Sequence, residues 1–182
     1  SPTRSFLSNQ NNLSSFYKNA KNILGEKINL GISLRNPEDL KFLNNFENKF
    51  FIESNLSWFD LRLLNHINNS NRSKFKIIAR SIYASGILKI IFNEETNSKE
   101  FFEKSDIRSS WDIDKLLYEN KEDIKRIKKV KKVLEESSLS EIGFSLFPLL
   151  SSILFGIIIG PLSIKELLDS EKSYKRVFFN NI

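Results

Sequence analysis

Few side chains in this sequence could carry acid–base, nucleophilic or metal chemistry. His66 is the single histidine and cysteine is absent, so thiolate chemistry and metal sites built on a histidine pair are excluded. His66 lies within an asparagine-rich run, residues 65–73, which predicts a solvated loop. The alternative is an axial ligand for a haem or a chlorophyll-like pigment, with Trp58 and Phe59 nearby in the sequence.

The carboxylates occur in pairs, but none has the spacing of a known metal or phosphate site. No Glu-x-x-His pair is present, and the GxxxxGK[ST] phosphate loop is absent. These acids are therefore interpreted as solvated helix faces and linkers, and we expect neither an enzyme, a metal nor a cofactor. The pairs are Glu94–Glu95, Asp112 with Asp114, Glu122–Asp123 and Glu135–Glu136.

A lysine-rich run, residues 121–132, is the most informative charged feature of a chain whose formal net charge is +6. Four of its lysines are spaced 4, 3 and 4 apart, so a helix would place them on one face, opposite Ile124 and Ile127. A basic amphipathic helix of this kind can contact anionic lipid headgroups or phosphates. The four candidate contact residues are Lys121, Lys125, Lys128 and Lys132.

The longest apolar run, residues 142–164, carries no charge between Glu141 and Lys165. As a helix it would measure roughly 34 Å, enough to cross a hydrocarbon core of about 30 Å. Gly156 and Gly160 form a GxxxG pair, which predicts a helix–helix interface in lipid. Pro148 and the Gly160–Pro161 pair favour a buried core helix instead.

These two interpretations differ in the side chains that they leave exposed. A core helix would bury Leu149, Ile153 and Ile157 against the faces around Leu64, Ile78 and Ile82. A membrane segment would expose one contiguous patch, and this is the outcome we expect. The patch comprises Phe155, Ile158, Ile159 and Leu162.

Helical spacing of apolar residues dominates the remainder of the chain, and no alternation of period two stands out. A first helix should end at Gly25, another begin at Asn36–Pro37, and a third begin near Ser57 with Asp60. Residues 74–92 predict the central helix, and residues 109–134 a long helix capped near Asp112. Residues 28–33 are left as a loop or a brief strand, and Ser163 with Glu166 predicts a capping box.

The sequence therefore predicts an all-α helical bundle of about five to seven helices with one strongly apolar C-terminal helix. Its segments would be a basic arm (1–12), a helical domain (13–136), the anchor or core helix (142–164) and a C-terminal helix (165–182). The expected function is a non-enzymatic, membrane-associated accessory or assembly protein, with membrane lipids and protein subunits of a larger complex as partners. The alternative is a soluble bundle binding nucleic acid. Asparagine, lysine, isoleucine and phenylalanine, which AT-rich codons encode, are abundant, and this indicates a bacterium or organelle with an AT-rich genome. The oligomeric state stays open.

Overall fold

A computed structural model describes residues 1–67, 74–92, 107–134, 145, 154–160 and 163–179. The chain divides into two compact units. The first comprises Ser1–Ile82 and Pro148–Gly160, and the second comprises Tyr83–Phe147 and Pro161–Ile182. Each unit has its own secondary structure and is described by itself.

The first unit is built on a four-stranded parallel sheet whose spatial order, β1-β2-β3-β4, follows the order along the chain. Gly31 pairs with Phe51, and Phe51 in turn pairs with Lys76. The pairing of β3 with β4 shifts by one residue between Ile77 and Ile78. The strands are β1 (Gly31–Leu34), β2 (Phe50–Asn55), β3 (Phe75–Arg80) and β4 (Leu154–Ile157).

The prediction of an all-α bundle is wrong, because the chain is α/β with a parallel sheet. Its proposed central helix, residues 74–92, is instead strand β3, a short 3-10 turn (Ala84–Gly86) and a short helix. In β3 the side chains of Phe75, Ile77 and Ala79 are buried, which is a period of two. Ile78 on the other face is also apolar, as is usual in parallel sheets, and it hides that alternation.

Helices cover one face of the sheet and supply its hydrophobic core. Helices α1 (Arg4–Ser8) and α2 (Gln10–Leu24) contribute Leu7 and Leu13, and the 3-10 segment Pro37–Leu43 contributes two leucines. Leu63 of helix α3 (Arg62–His66) joins the same cluster. The sheet residues of this cluster are Ile32, Leu34, Phe50, Ile52, Phe75 and Ile77. We call this side of the sheet the helix-covered face.

The helix-covered face is reinforced by polar bonds at its periphery. Arg4 Nε donates to Asp39 Oδ1 at 2.8 Å, and the Asp39 side chain is almost fully buried. Gln10 Nε2 donates to the Phe42 carbonyl at 2.8 Å. Because a buried carboxylate is costly without a partner, the Arg4 ion pair is what allows Asp39 to occupy this position.

At Gly25 and at Asp112, local capping signals set the helix ends as the sequence predicts. Gly25 ends α2 with a φ of 93°, a conformation that glycine adopts without strain. In the second unit, Asp112 accepts a hydrogen bond from the Lys115 amide and begins α5. The helix predicted over 109–134 is interrupted at Asn120, so it forms two helices. The described helices of this unit are α4 (Ile87–Phe92), α5 (Ile113–Glu119), α6 (Lys121–Leu134) and α7 (Ile164–Phe179).

The apolar run, residues 142–164, does not form the predicted helix. Part of it is strand β4, and α7 begins at its end, where the Glu166 amide donates to Ser163 Oγ as the capping box predicts. No helix in the described ranges is both long and apolar enough to cross a membrane. The prediction of a membrane-associated protein is therefore wrong.

The side chains of β4 explain why this segment is so apolar. Leu154 packs against the core cluster, whereas Phe155 and Ile158 remain 57% and 48% exposed. Phe155 contacts Phe51 edge-on, with ring centroids 4.7 Å apart. A strand with apolar groups on both faces thus produced an uncharged run. Leu149, Ile153 and Leu162, also named in the prediction, lie outside the described residues.

Candidate functional site

Polar side chains occur at the carboxyl ends of the two central strands. β2 ends at Asn55 and β3 ends at Arg80, and these two residues are partners in the parallel register. Both belong to the face opposite the helix-covered one, as does Glu53 two residues earlier in β2. In parallel α/β sheets, ligands bind outside the carboxyl ends of the strands. This edge is therefore the candidate site.

Glu53 and Arg80 form an ion pair within the site. Arg80 Nε lies 3.0 Å from Glu53 Oε1, and the two side chains are 27% and 34% exposed. Because Glu53 is diagonal to Arg80 across neighbouring strands, the sheet register itself fixes this approach. The two formal charges cancel locally, so the pair presents little net charge to a ligand.

Two polar atoms at this edge lack a hydrogen-bond partner in the described part of the chain. They are Asn55 Oδ1, an acceptor, and Arg80 Nε, whose hydrogen is a donor. Arg80 Nε is close enough to Glu53 for Coulomb attraction, but its N–H is not aligned with the carboxylate oxygen. Buried polar atoms without partners are costly and rare in proteins. The Arg80 Nε donor and the Asn55 Oδ1 acceptor are therefore both enclosed, lie at positions paired in the sheet register, and can each form a further hydrogen bond.

The backbone around these residues is held in a defined and strained conformation. Ser81, directly after Arg80, has a φ of 57°, in the left-handed region that non-glycine residues seldom occupy. The Leu56 amide donates to the Arg80 carbonyl at 3.2 Å, and the Ile158 amide to the Ala79 carbonyl at 2.8 Å. Backbone strain of this kind concentrates at binding and catalytic sites.

A tight turn follows β2 and closes one side of the site. Ser57 and Asp60 exchange backbone hydrogen bonds of 3.1 and 3.0 Å, so the predicted capping box is instead a bridged turn. Arg62 binds both carboxylate oxygens of Asp60, at 2.8 and 2.9 Å. The hydrogen bonds that Arg62 donates to Asp60 raise the pKa of Arg62 above its ordinary value, so this arginine stays charged. The charges of Asp60 and Arg62 are therefore neutralised within the turn.

The structure does not gather the residues that the sequence singled out into one site. The four lysines of the basic run are exposed on α6, where Lys125 pairs with Glu122 at 3.0 Å and Lys121 lies over the Tyr118 ring. Contact of Lys121, Lys125, Lys128 and Lys132 with phosphate groups stays a prediction. Gly156 lies in β4 and Gly160 follows it, so the helix required for their predicted interface is not formed there.

His66 is the last residue of α3, and its side chain is half-buried. Within the described ranges, no group of three or more histidine, aspartate or glutamate side chains could hold a metal ion. Pigment or haem binding by His66 stays a hypothesis.

Sequence reasoning missed Glu53, Asn55 and Arg80 altogether. Glu53 and Asn55 lie in a stretch for which the sequence predicts no strand, and Arg80 lies within the helix predicted over residues 74–92. A strand prediction over 75–80 would have shown that Arg80 ends β3. Its pairing with Asn55 depends on the sheet register, for which the sequence contains no local signal.

Comparison with known proteins gives one informative similarity, in fold. Neither a family model nor a curated protein matches the chain. The solved structure of the glycerol dehydrogenase AKR11B4 from Gluconobacter oxydans is similar, with a TM-score of 0.53 and 16% sequence identity. The match covers 100% of this chain and 58% of that one. The chain therefore resembles part of that dehydrogenase in fold.

Proposed function

We propose that this chain is a ligand-binding α/β domain of the oxidoreductase type, which holds a small polar molecule at the carboxyl ends of β2 and β3. The observation that carries the proposal is the pair of unsatisfied atoms, Asn55 Oδ1 and Arg80 Nε, beside the Glu53 carboxylate. The similarity in fold to a glycerol dehydrogenase supports the oxidoreductase class. A small hydroxyl or carbonyl compound is the ligand class that such an activity implies.

The position of the site also supports binding. The carboxyl ends of parallel strands form a shallow crevice where neighbouring loops diverge, and enzymes of this architecture place their ligands there. In this chain the Ser57–Asp60 turn follows β2 and the strained Ser81 follows β3. Both connections are positioned by the sheet rather than by long flexible segments.

The proposal is tested by titrating the full chain with glycerol and with inorganic phosphate, following amide shifts by NMR. We expect one of the two to shift residues at the ends of β2 and β3, and Arg80→Gln to weaken that binding at least tenfold. Arg62→Gln is the matched control, because it removes the same charge from an arginine that pairs with Asp60 in the turn after β2. If neither compound shifts these residues, the proposed site is incorrect.

A ligand-binding role without catalysis is the second candidate. Among the residues of β2 and β3, Glu53 is the single carboxylate, and it is engaged in the ion pair with Arg80. Turnover separates the two candidates. Oxidation of glycerol, followed with NAD⁺ and NADP⁺ as hydride acceptors, supports the oxidoreductase role, and binding without turnover supports the second candidate.

A further inference from the structure

The donor and the acceptor at the end of the sheet restrict what the site can recognise. We infer that this site, if it binds a ligand as proposed above, selects a neutral group that donates and accepts a hydrogen bond at once. A hydroxyl group has this chemistry, and so does a primary carboxamide. A sulfate or a carboxylate does not, because its oxygens only accept.

The first step of the inference concerns bonding capacity. Asn55 Oδ1 requires a donor and Arg80 Nε requires an acceptor. Because Asn55 and Arg80 are register partners on adjacent parallel strands, one small group can reach both atoms. A hydroxyl oxygen placed between them donates its hydrogen to Oδ1 and accepts the Nε hydrogen. A sulfate or carboxylate oxygen would accept the Arg80 Nε hydrogen, but it would leave Asn55 Oδ1 facing another acceptor.

The second step concerns charge. Glu53 Oε1 lies 3.0 Å from Arg80 Nε, so the arginine is already neutralised by a carboxylate within the site. An incoming anion would gain attraction from Arg80 and meet repulsion from Glu53 at similar distance, whereas a neutral group has no such conflict. Charge balance and bonding capacity thus favour the same class of ligand. Glu53 is a positioning residue, because it acts on the ligand through Arg80.

The third step concerns size. Both unsatisfied atoms are almost inaccessible to solvent. A group that reaches them must therefore be compact and must leave its surroundings desolvated. In such a site, a ligand lacking the matching donor leaves a buried acceptor unpaired, and discrimination is strong.

The experiment compares ligands on the unmodified full chain by NMR titration of the residues at the ends of β2 and β3. Glycerol and benzamide are the two neutral probes, and they separate the hydroxyl source from the carboxamide source. We expect at least one of them to bind at least tenfold more tightly than sulfate, an anion whose oxygens only accept hydrogen bonds. Their methylated forms, 1,2,3-trimethoxypropane and N,N-dimethylbenzamide, lack the donor and should bind at least tenfold more weakly than their parents.

Two variants test the residues themselves. Asn55→Leu removes the acceptor and should abolish the preference for glycerol or benzamide over the methylated forms. Glu53→Gln should reduce the preference for neutral ligands over anions, because it should raise the affinity for sulfate severalfold. A merely structural role for Glu53 would not produce this effect. The ligand comparison needs no substitution, so it decides the question even where a variant fails to fold.

Three results would overturn the inference. Tighter binding of sulfate than of both neutral probes, weakening as the concentration of sodium chloride rises, identifies an anion site and leaves the proposed function standing. Equal binding of the methylated and parent compounds shows that the acceptor is not used. An ordered water bonded to Asn55 Oδ1 and Arg80 Nε, and not displaced by either probe, shows that the two atoms have a structural role.

Discussion

Ile77 and Ile78 provide a direct test of the parallel sheet, because they are identical, adjacent and on opposite faces of β3. Ile77 is 1% exposed within the core cluster, whereas Ile78 is half-buried. Truncating Ile77 to alanine removes about three carbons, worth roughly 2.4 kcal/mol of transfer free energy, and leaves a cavity. The expected loss of unfolding free energy is about 3–4 kcal/mol for Ile77→Ala. For Ile78→Ala it is about 1 kcal/mol, because only part of that side chain leaves water.

The difference between the two variants is more informative than either value. Both substitutions lower β propensity equally, so this contribution cancels. Ile77→Val keeps the branched side chain and removes one methyl group, and it should cost about 1 kcal/mol. A helix over the same residues would not produce this graded set of three losses of unfolding free energy.

Urea unfolding followed by tryptophan fluorescence is the assay. Trp58 is buried in the first unit, and Trp111 is 39% exposed in the second. A Trp111→Phe background therefore confines the signal to the unit that contains β3. Equal losses for Ile77→Ala and Ile78→Ala, or a larger loss for Ile78→Ala, would refute the assignment of faces.

Three further predictions concern helix ends and one exposed ion pair. Gly25→Ala should cost about 1 kcal/mol in urea unfolding, because alanine is strained at a φ of 93°. Ser163→Ala should cost about 1 kcal/mol by removing the cap on the Glu166 amide, and Ser163→Asp should restore it. The hydrogen bond from Lys175 lowers the pKa of Glu171, so the pair stabilises α7 above the ordinary glutamate pKa. That contribution should vanish as pH falls through the depressed pKa, and carboxyl NMR titration should show the shift only while Lys175 is present.

Features governed by neighbours a few residues away could be predicted from the sequence. Gly25, Asp112 and Ser163 each act through one hydrogen bond or one backbone angle within a single turn. The residue types within that turn are therefore enough to identify them. Their success says little about tertiary structure, since caps of this kind occur in every class of fold that contains helices.

The strands could not be predicted because apolar residues occupy both of their faces. β2 begins with two phenylalanines, and in β3 Ile77 and Ile78 are adjacent, so the period of two is blurred into a short apolar run. Such a run cannot be distinguished from a helix by periodicity alone. Residues 154–157 also form a short apolar run. The apolar residues beside them in the sequence lengthen that run to the length of a membrane helix.

The candidate site was beyond sequence reasoning for a different reason. Asn55 and Arg80 meet only because β2 and β3 pair in one register. A slip of one residue would turn Arg80 toward the core and separate the two groups. The chemistry therefore depends on a long-range arrangement that no short motif encodes.

The order of the strands has a consequence for synthesis of the chain. β1, β2 and β3 are complete once Arg80 is made, but β4 begins only at Leu154. At about 5–20 residues per second, roughly 4 to 15 seconds pass between Ile77 and its partner Leu154 emerging in turn. During that time the outer edge of β3 offers unpaired amides and carbonyls to any other nascent strand. We therefore expect the nascent chain to form an incomplete sheet before β4 is made. A circular permutant that places β4 earlier in the sequence should depend less on chaperones for folding.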